Sequence, residues 1–258
     1  MKITNLRLRR LSGTMEVDGP FFEEQLVRPL DIYPDFRSRG PGEQTDDRHF
    51  RVSETFLQIE TDEGVSGICG SVGNGVAFHV SQLASLLIGK DPTQVEELWD
   101  EMYGLTRWYG RKGAAMSALG ALDTAFWDLR GQAAGQPIWR LLGGEQETCP
   151  AYGSALLWKE PEALAEEARK LVARGFRRVK MRLARDPEWD RAAVQAVRET
   201  VGPEVDIMVD GSMRYNADTA LRTARMLEEY NCFWFEEPFA PENLADFTKL
   251  RREVGIPL

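Results

Sequence analysis

Three short apolar runs in the second half of the chain each end on charge: VKMR (Val179 to Arg182), IMVDGS (Ile207 to Ser212) and FWFEEP (Phe233 to Pro238). Lys180, Asp210 and Glu236 lie 30 and then 26 residues apart. That interval holds one strand, one helix and two short loops. The beat therefore predicts a parallel sheet built from repeated strand–helix units. When such units close into a barrel, chemistry is done at the C-terminal ends of the strands, where these charges stand.

The surrounding pattern agrees. From about 149 the chain alternates between short apolar runs and amphipathic segments. Strands are predicted at Ala151–Leu156, Phe176–Arg182, Val205–Asp210 and Cys232–Glu236. Helices are predicted at Pro161–Arg174, Pro187–Val201, Ala217–Tyr230 and Pro241–Val254. Gly175 and Gly255 act as stops, and Asn216 acts as an N-cap. Four units make half of an eight-unit barrel.

The first half follows a different grammar. Residues 2–11 alternate like a strand. Thr55–Thr61, the turn Asp62-Glu63-Gly64 and Val65–Ser71 read as a hairpin. Helical patterns follow at about 77–88, at 92–103 with Asp91-Pro92 as its N-cap and first helical position, and at about 111–135. Strands followed by helices predict a separate α+β domain. Residues 13–50 show no sustained period but carry Phe21, Phe22, Tyr33, Phe36 and Phe50. A loop this long inside a domain reads as a lid that packs on something.

Side chains on a strand alternate faces, so Lys180 and Arg182 point one way and Met181 the other. Asp210 and Glu236 each end an apolar run, where an unpaired carboxylate is costly. A hard divalent cation with oxygen ligands, Mg²⁺ first among them, answers that cost. The simpler alternative pairs Lys180 and Arg182 with the two carboxylates as structural salt bridges. The ordered set at barrel spacing favours the functional reading.

A formal net charge of −9 argues against a nucleic-acid partner. It leaves room for an anionic substrate near a local cation. Three scattered cysteines fit no disulfide framework and are expected as buried free thiols. No apolar run is long enough to span a membrane, and the N-terminus lacks a signal-peptide core. A soluble, cytoplasmic protein is expected.

These residues carry a resemblance. The segment SALGALDTAFWDLRGQAAGQPIWRLLGG (Ser117–Gly144), the Lys-x-Arg pair, the Asp ending the next strand and the Glu-Glu-Pro ending the one after it resemble the enolase superfamily. The match is to its mandelate racemase/muconate lactonizing enzyme-like branch. The resemblance implies an α+β capping domain, about residues 1–125. From 126 to 258 it implies part, about half, of a (β/α) TIM-like barrel. It implies Mg²⁺ held by three acidic residues, with Asp210 and Glu236 matching the first two. It also implies removal of the proton α to a carboxylate, with a small-molecule sugar acid as substrate and a homo-oligomer as the assembly. Lys180 and Arg182 match the catalytic pair. Ser212 and Glu237 stand beside the ligands as supports. In the lid region, Phe21, Arg28, Tyr33, Arg37 and His49 are the candidates for substrate contact.

The chain departs from that pattern in three places. Arg182 replaces a second lysine. Arginine stays protonated, so it serves as an electrostatic clamp and not as a base. A racemase needs competent groups on both faces of the substrate, whereas a dehydratase manages with one base. The expectation is therefore dehydration of an aldonate or aldarate to a 2-keto-3-deoxy acid, ahead of racemisation or epimerisation. Ser212 stands where the family has Asn. A further step of 26 residues from Glu236 passes Leu258, the last residue of the sequence. The third ligand and the His-Asp base are thus expected beyond it, and the chain reads as an N-terminal portion of a longer enzyme. A catalytically incompetent truncated chain is the competing reading. His79 reads as a helix-terminal or surface residue.

Overall fold

Alternating side chains build a long antiparallel ribbon from β1 (Ile3–Glu16) and β3 (His49–Thr61). Its register runs from Ile3 opposite Thr61 to Glu16 opposite His49, with an irregularity between Ile3 and Asn5. β2 (Glu43–Gln44) and β4 (Ser66–Cys69) also pair with β3, completing a four-stranded sheet. The computed structural model describes residues 1–16, 43–46 and 48–258. Phe21, Arg28, Tyr33 and Arg37 lie outside the described residues.

Four helices follow: α1 (Asn74–Leu87), α2 (Val95–Thr106), α3 (Ala114–Ala134) and the short α4 (Ile138–Leu141). Ala118, Leu119, Leu122, Ala125, Phe126 and Leu129 form the buried stripe of α3 at helical spacing. It packs with Leu57, Ile59, Leu83 and Met102 into one core. Gly67 makes the close approach possible: a Cβ there would come within 2.2 Å of the Ala125 carbonyl oxygen.

Some details differ from expectation. β1 runs on to Glu16 and β3 begins at His49, so both ends of the segment read as a lid are strand. Asp91-Pro92 does not open α2. Instead Asp91 closes a turn, accepting from the Thr93 backbone N–H at 2.9 Å, and the helix starts at Val95. The domain boundary expected at 125 falls inside α3, whose Phe126 and Leu129 remain in the first core. Contacts divide the chain between Glu147 and Thr148.

The second unit holds β5 (Gly153–Ser154), α5 (Pro161–Ala173), β6 (Arg178–Arg182), α6 (Pro187–Val201), β7 (Asp206–Asp210), α7 (Ala217–Glu229), β8 (Trp234–Glu236) and α8 (Leu244–Glu253). The sheet order is β5-β6-β7-β8, and every pair is parallel. Val179, Met181, Ile207, Val209 and Phe235 are fully buried, packed with Leu164, Val194, Val197 and Leu227 from the helices. Helix starts are set locally. Asp186 caps α6 by accepting from the Trp189 N–H, and Asn216 with Thr219 forms a capping box on α7. β5 is shorter than expected at both ends, and beyond it Leu156 adopts the left-handed region at φ 48°.

The three cysteines are free. Cys232 is buried as expected and Cys69 partly so, but Cys149 is exposed because it lies in the open stretch before β5. Among the described residues, no helix is long and apolar enough to cross a membrane.

Candidate active site

The parallel ladder sets the site. Arg182 on β6 lies opposite Asp210 on β7, and Asp210 lies opposite Glu236 on β8. These three strand-terminal residues form one row. Lys180 belongs to the row below, opposite Met208. Because it is two residues earlier, it shares a face with Arg182 and extends upward along it. Its Nζ lies 3.0 Å from both Glu236 carboxylate oxygens and 3.3 Å from Asp210 Oδ2. Arg182 Nη1 contacts the same Asp210 oxygen. Met181 points the other way and is wholly buried in the core.

Burial makes these pairs consequential. Asp210 is 1% exposed and Lys180 7%. Glu236 and Arg182 are only partly buried. Tyr152 flanks Lys180 from below, its ring centroid 5.8 Å from Nζ. With protein groups alone, the cations and carboxylates satisfy one another, as the salt-bridge alternative requires.

Ser212 supports Asp210 directly. Its backbone N–H donates to Asp210 Oδ1 at 2.9 Å and its hydroxyl at 3.1 Å. Ser212 adopts φ 48°, in the left-handed region. Glu237 supports the next turn through its backbone: its carbonyl accepts from the Met213 N–H at 2.8 Å, at φ 34°. The ladder continues past the strand ends through Leu183 N–H to the Asp210 carbonyl (3.0 Å) and Gly211 N–H to the Glu236 carbonyl (2.9 Å).

The donor set fits a hard cation in part. Two carboxylates meet at adjacent strand ends with a cationic head between them. Mg²⁺ is commonly held by one or two carboxylates plus water and substrate oxygens. Among the described residues, no three His, Cys, Asp or Glu side chains gather as a metal-binding group. Both histidines lie in the first unit. His49 opens β3 with its Nδ1 2.8 Å from Asp46 Oδ1. His79 lies within α1, near Gln82 and stacked on Tyr109.

The sequence reading missed Asp190 and Tyr215. Asp190 is 2% exposed, and its Oδ2 accepts from the Tyr215 hydroxyl at 2.7 Å. Burial pushes the Asp190 carboxyl up to about 6, with the Tyr215 and backbone hydrogen bonds opposing that rise. Burial and the neighbouring Asp190 push the Tyr215 hydroxyl well above its ordinary value. A signal was present: Asp190 falls on the apolar face of α6, in step with Ala193, Val194 and Val197.

Comparison with known proteins identifies the frame. Residues 48–143 match the N-terminal domain of mandelate racemase/muconate lactonizing enzyme. Residues 163–258 match the enolase C-terminal domain-like family. The chain is 35% identical over 231 residues to the 3,6-anhydro-alpha-L-galactonate cycloisomerase of Streptomyces coelicolor, covering 85% of this chain and 64% of that protein. It is 34% identical over 210 residues to the arabinonate dehydratase of Saccharolobus solfataricus, covering 78% of this chain and 56% of that one. Among solved structures, a racemase from Streptomyces coelicolor A3(2) with bound magnesium superposes with a TM-score of 0.78 at 30% identity, covering 98% of this chain and 68% of that chain. D-glucarate dehydratase from Agrobacterium tumefaciens complexed with magnesium gives 0.80 at 27% identity, covering 99% and 66%. The chain thus spans about 60% of the length of the first relatives it matches. Its two units correspond to the capping domain and to part of the barrel of that fold, and the chain belongs to the mandelate racemase/muconate lactonizing enzyme-like branch of the enolase superfamily.

Proposed function

We propose that this chain carries the cation-binding part of an acid-sugar dehydratase, which removes the proton α to a carboxylate and then water from the β-carbon. The observation that carries the proposal is the Arg182–Asp210–Glu236 row with Lys180 bridging both carboxylates. Asp210 and Glu236 would hold Mg²⁺, displacing the Lys180 and Arg182 heads from their carboxylates. When bound, the ion supplies Lewis-acid stabilisation of the negative charge that builds on the substrate carboxylate. Lys180 and Arg182 then face that carboxylate as cations. Arg182, permanently protonated, orients the substrate and does not take its proton. A base takes the α-proton, the electron pair left on the α-carbon forms the new double bond, and the β-hydroxyl departs as water after gaining a proton. The enol product tautomerises to a 2-keto-3-deoxy acid. Relatives named arabinonate dehydratase and L-talarate/galactarate dehydratase support a sugar-acid substrate.

A cycloisomerase reaction on an anhydro sugar acid is the second reading, favoured by the 35% identical relative of that name. One assay separates the readings. The protein is incubated with Mg²⁺ and a panel of aldonic, aldaric and anhydro sugar acids in D₂O, and the products are followed by NMR and mass spectrometry. Loss of one water with a 2-keto product supports dehydration. An isomer of unchanged composition supports cycloisomerisation. Deuterium at the α-carbon with inversion and no loss of water supports racemisation or epimerisation and overturns the proposal.

A further inference from the structure

Behind the strand ends, one buried carboxylate gathers two loops. Asp190, in the first turn of α6, accepts from the Ala184 N–H at 3.2 Å and the Arg185 N–H at 3.1 Å, both in the loop after β6. It also accepts from the Tyr215 hydroxyl, in the loop after β7, at 2.7 Å. The Tyr215 ring lies against Gly211, where an added Cβ would stand 2.9 Å from Cε2. It meets Phe235 of β8 edge-on, with centroids 5.4 Å apart. The Tyr215 backbone N–H donates to the Pro238 carbonyl at 3.0 Å, in the loop after β8. Three loops, each leaving a strand that ends in a site residue, are thereby tied to one pair of residues, two through side chains and the third through the Tyr215 backbone.

These loops need holding. Ala184, Ser212, Met213 and Glu237 all adopt positive φ, at 65°, 48°, 59° and 34°, although none is glycine. Such backbone is costly for an L side chain and persists where its surroundings over-determine it. Ser212 flanks Asp210 and Glu237 follows Glu236, so slack there would move the carboxylates themselves.

We propose that Asp190 and Tyr215 are positioning residues, a clasp that fixes the turns after β6, β7 and β8 and so sets the Asp210 and Glu236 carboxylates for a shared divalent cation. The proposal rests on reading those carboxylates as cation ligands. Neither clasp residue touches the reacting groups. An apolar side chain at 190 would pack at lower cost than a buried carboxylate, which suits a residue kept for geometry.

The test uses Tyr215→Phe, which keeps the ring and removes the hydroxyl, and Asp190→Asn. Asp210→Asn reports separately on the cation reading. Mn²⁺ affinity is measured by EPR titration, and amide hydrogen exchange is followed by mass spectrometry in the metal-free protein. The clasp predicts that Tyr215→Phe weakens Mn²⁺ binding roughly ten-fold. It also predicts faster exchange over 183–186 and 211–215, with the interior of β7 unchanged. Unaltered Mn²⁺ affinity in a Tyr215→Phe protein whose Asp210→Asn counterpart has lost binding overturns the clasp. A uniform loss of protection overturns it too, because the pair is then only part of the core. If Asp210→Asn binds Mn²⁺ like the parent, the cation reading fails. Turn exchange then decides the clasp alone, and unchanged exchange in Tyr215→Phe sinks it.

Discussion

Arg182 stands directly opposite Asp210 in the parallel ladder between β6 and β7, at the level where both strands end. Lys180 comes from the level below, yet it is the group that reaches both Asp210 and Glu236. Charge at this site is therefore balanced twice over at Asp210 and once at Glu236.

That asymmetry predicts unequal costs. Lys180→Met removes the cation shared by both carboxylates and should destabilise the metal-free protein by about 2–4 kcal/mol, measured by urea unfolding. Arg182→Met should cost only about 1 kcal/mol, because Lys180 still faces Asp210 and Arg182 is partly solvated. Mg²⁺ should restore part of the loss in Lys180→Met. Equal costs for the two variants would show that Lys180 does not bridge the pair.

Ser212 tests the support of Asp210. Ser212→Ala removes the hydroxyl that donates to Asp210 Oδ1 and leaves the backbone donor in place. It should cost about 1–2 kcal/mol. Ser212→Asn keeps a donor, and Asn tolerates the observed φ of 48° better than most residues. Thermal unfolding should place Asn at or above the parent and Ala below it.

Asp190 should leave a signature in pH. Its carboxyl is raised from 3.8 to about 6, chiefly by burial and further by Asp186, against hydrogen bonds from Tyr215, Arg185 and Ala184. The folded chain thus holds this proton more tightly than the unfolded chain. Its contribution to stability is largest below about pH 4, falls as pH rises to about 6, and is level above that. Between those limits the parent should lose on the order of 3 kcal/mol relative to Asp190→Asn. Urea unfolding of both proteins at about pH 4, 5, 6 and 7 checks the slope. A difference independent of pH would mean that Asp190 titrates at its ordinary value.

Gly211 tests the packing behind Asp210. In Gly211→Ala the new methyl meets Tyr215 Cε2 at 2.9 Å, Cδ2 at 3.0 Å and Phe235 Cε2 at 3.2 Å. Overpacking of this kind costs about 1–3 kcal/mol. The shift should appear in the Tyr215 and Phe235 ring resonances, with those of the first unit unmoved. A fully tolerated alanine would show that the Tyr215 ring has room to give.

The chain order of charged strand ends was legible because each unit of a parallel sheet repeats one local grammar. An apolar run, a turn, a cap and an amphipathic helix are all written within about thirty residues. Pro187–Val201 was placed to the residue for this reason, since Asp186 and Gly202 mark its ends. The face shared by Lys180 and Arg182 followed from strand alternation alone.

The offset between neighbouring strands was not legible. A period of two assigns faces but does not say which residue of β6 stands opposite Asp210. The ladder places Arg182 there and leaves Lys180, opposite Met208, to bridge from below. The Asp190–Tyr215 pair was hidden for a related reason: its partners are 25 residues apart, and only the packing of α6 against the turn after β7 brings them together. Periodicity and capping are local properties that a linear string carries in full. Register, reach and clasp depend on how separate units settle against one another, which is decided by burial and hydrogen bonding across the folded sheet.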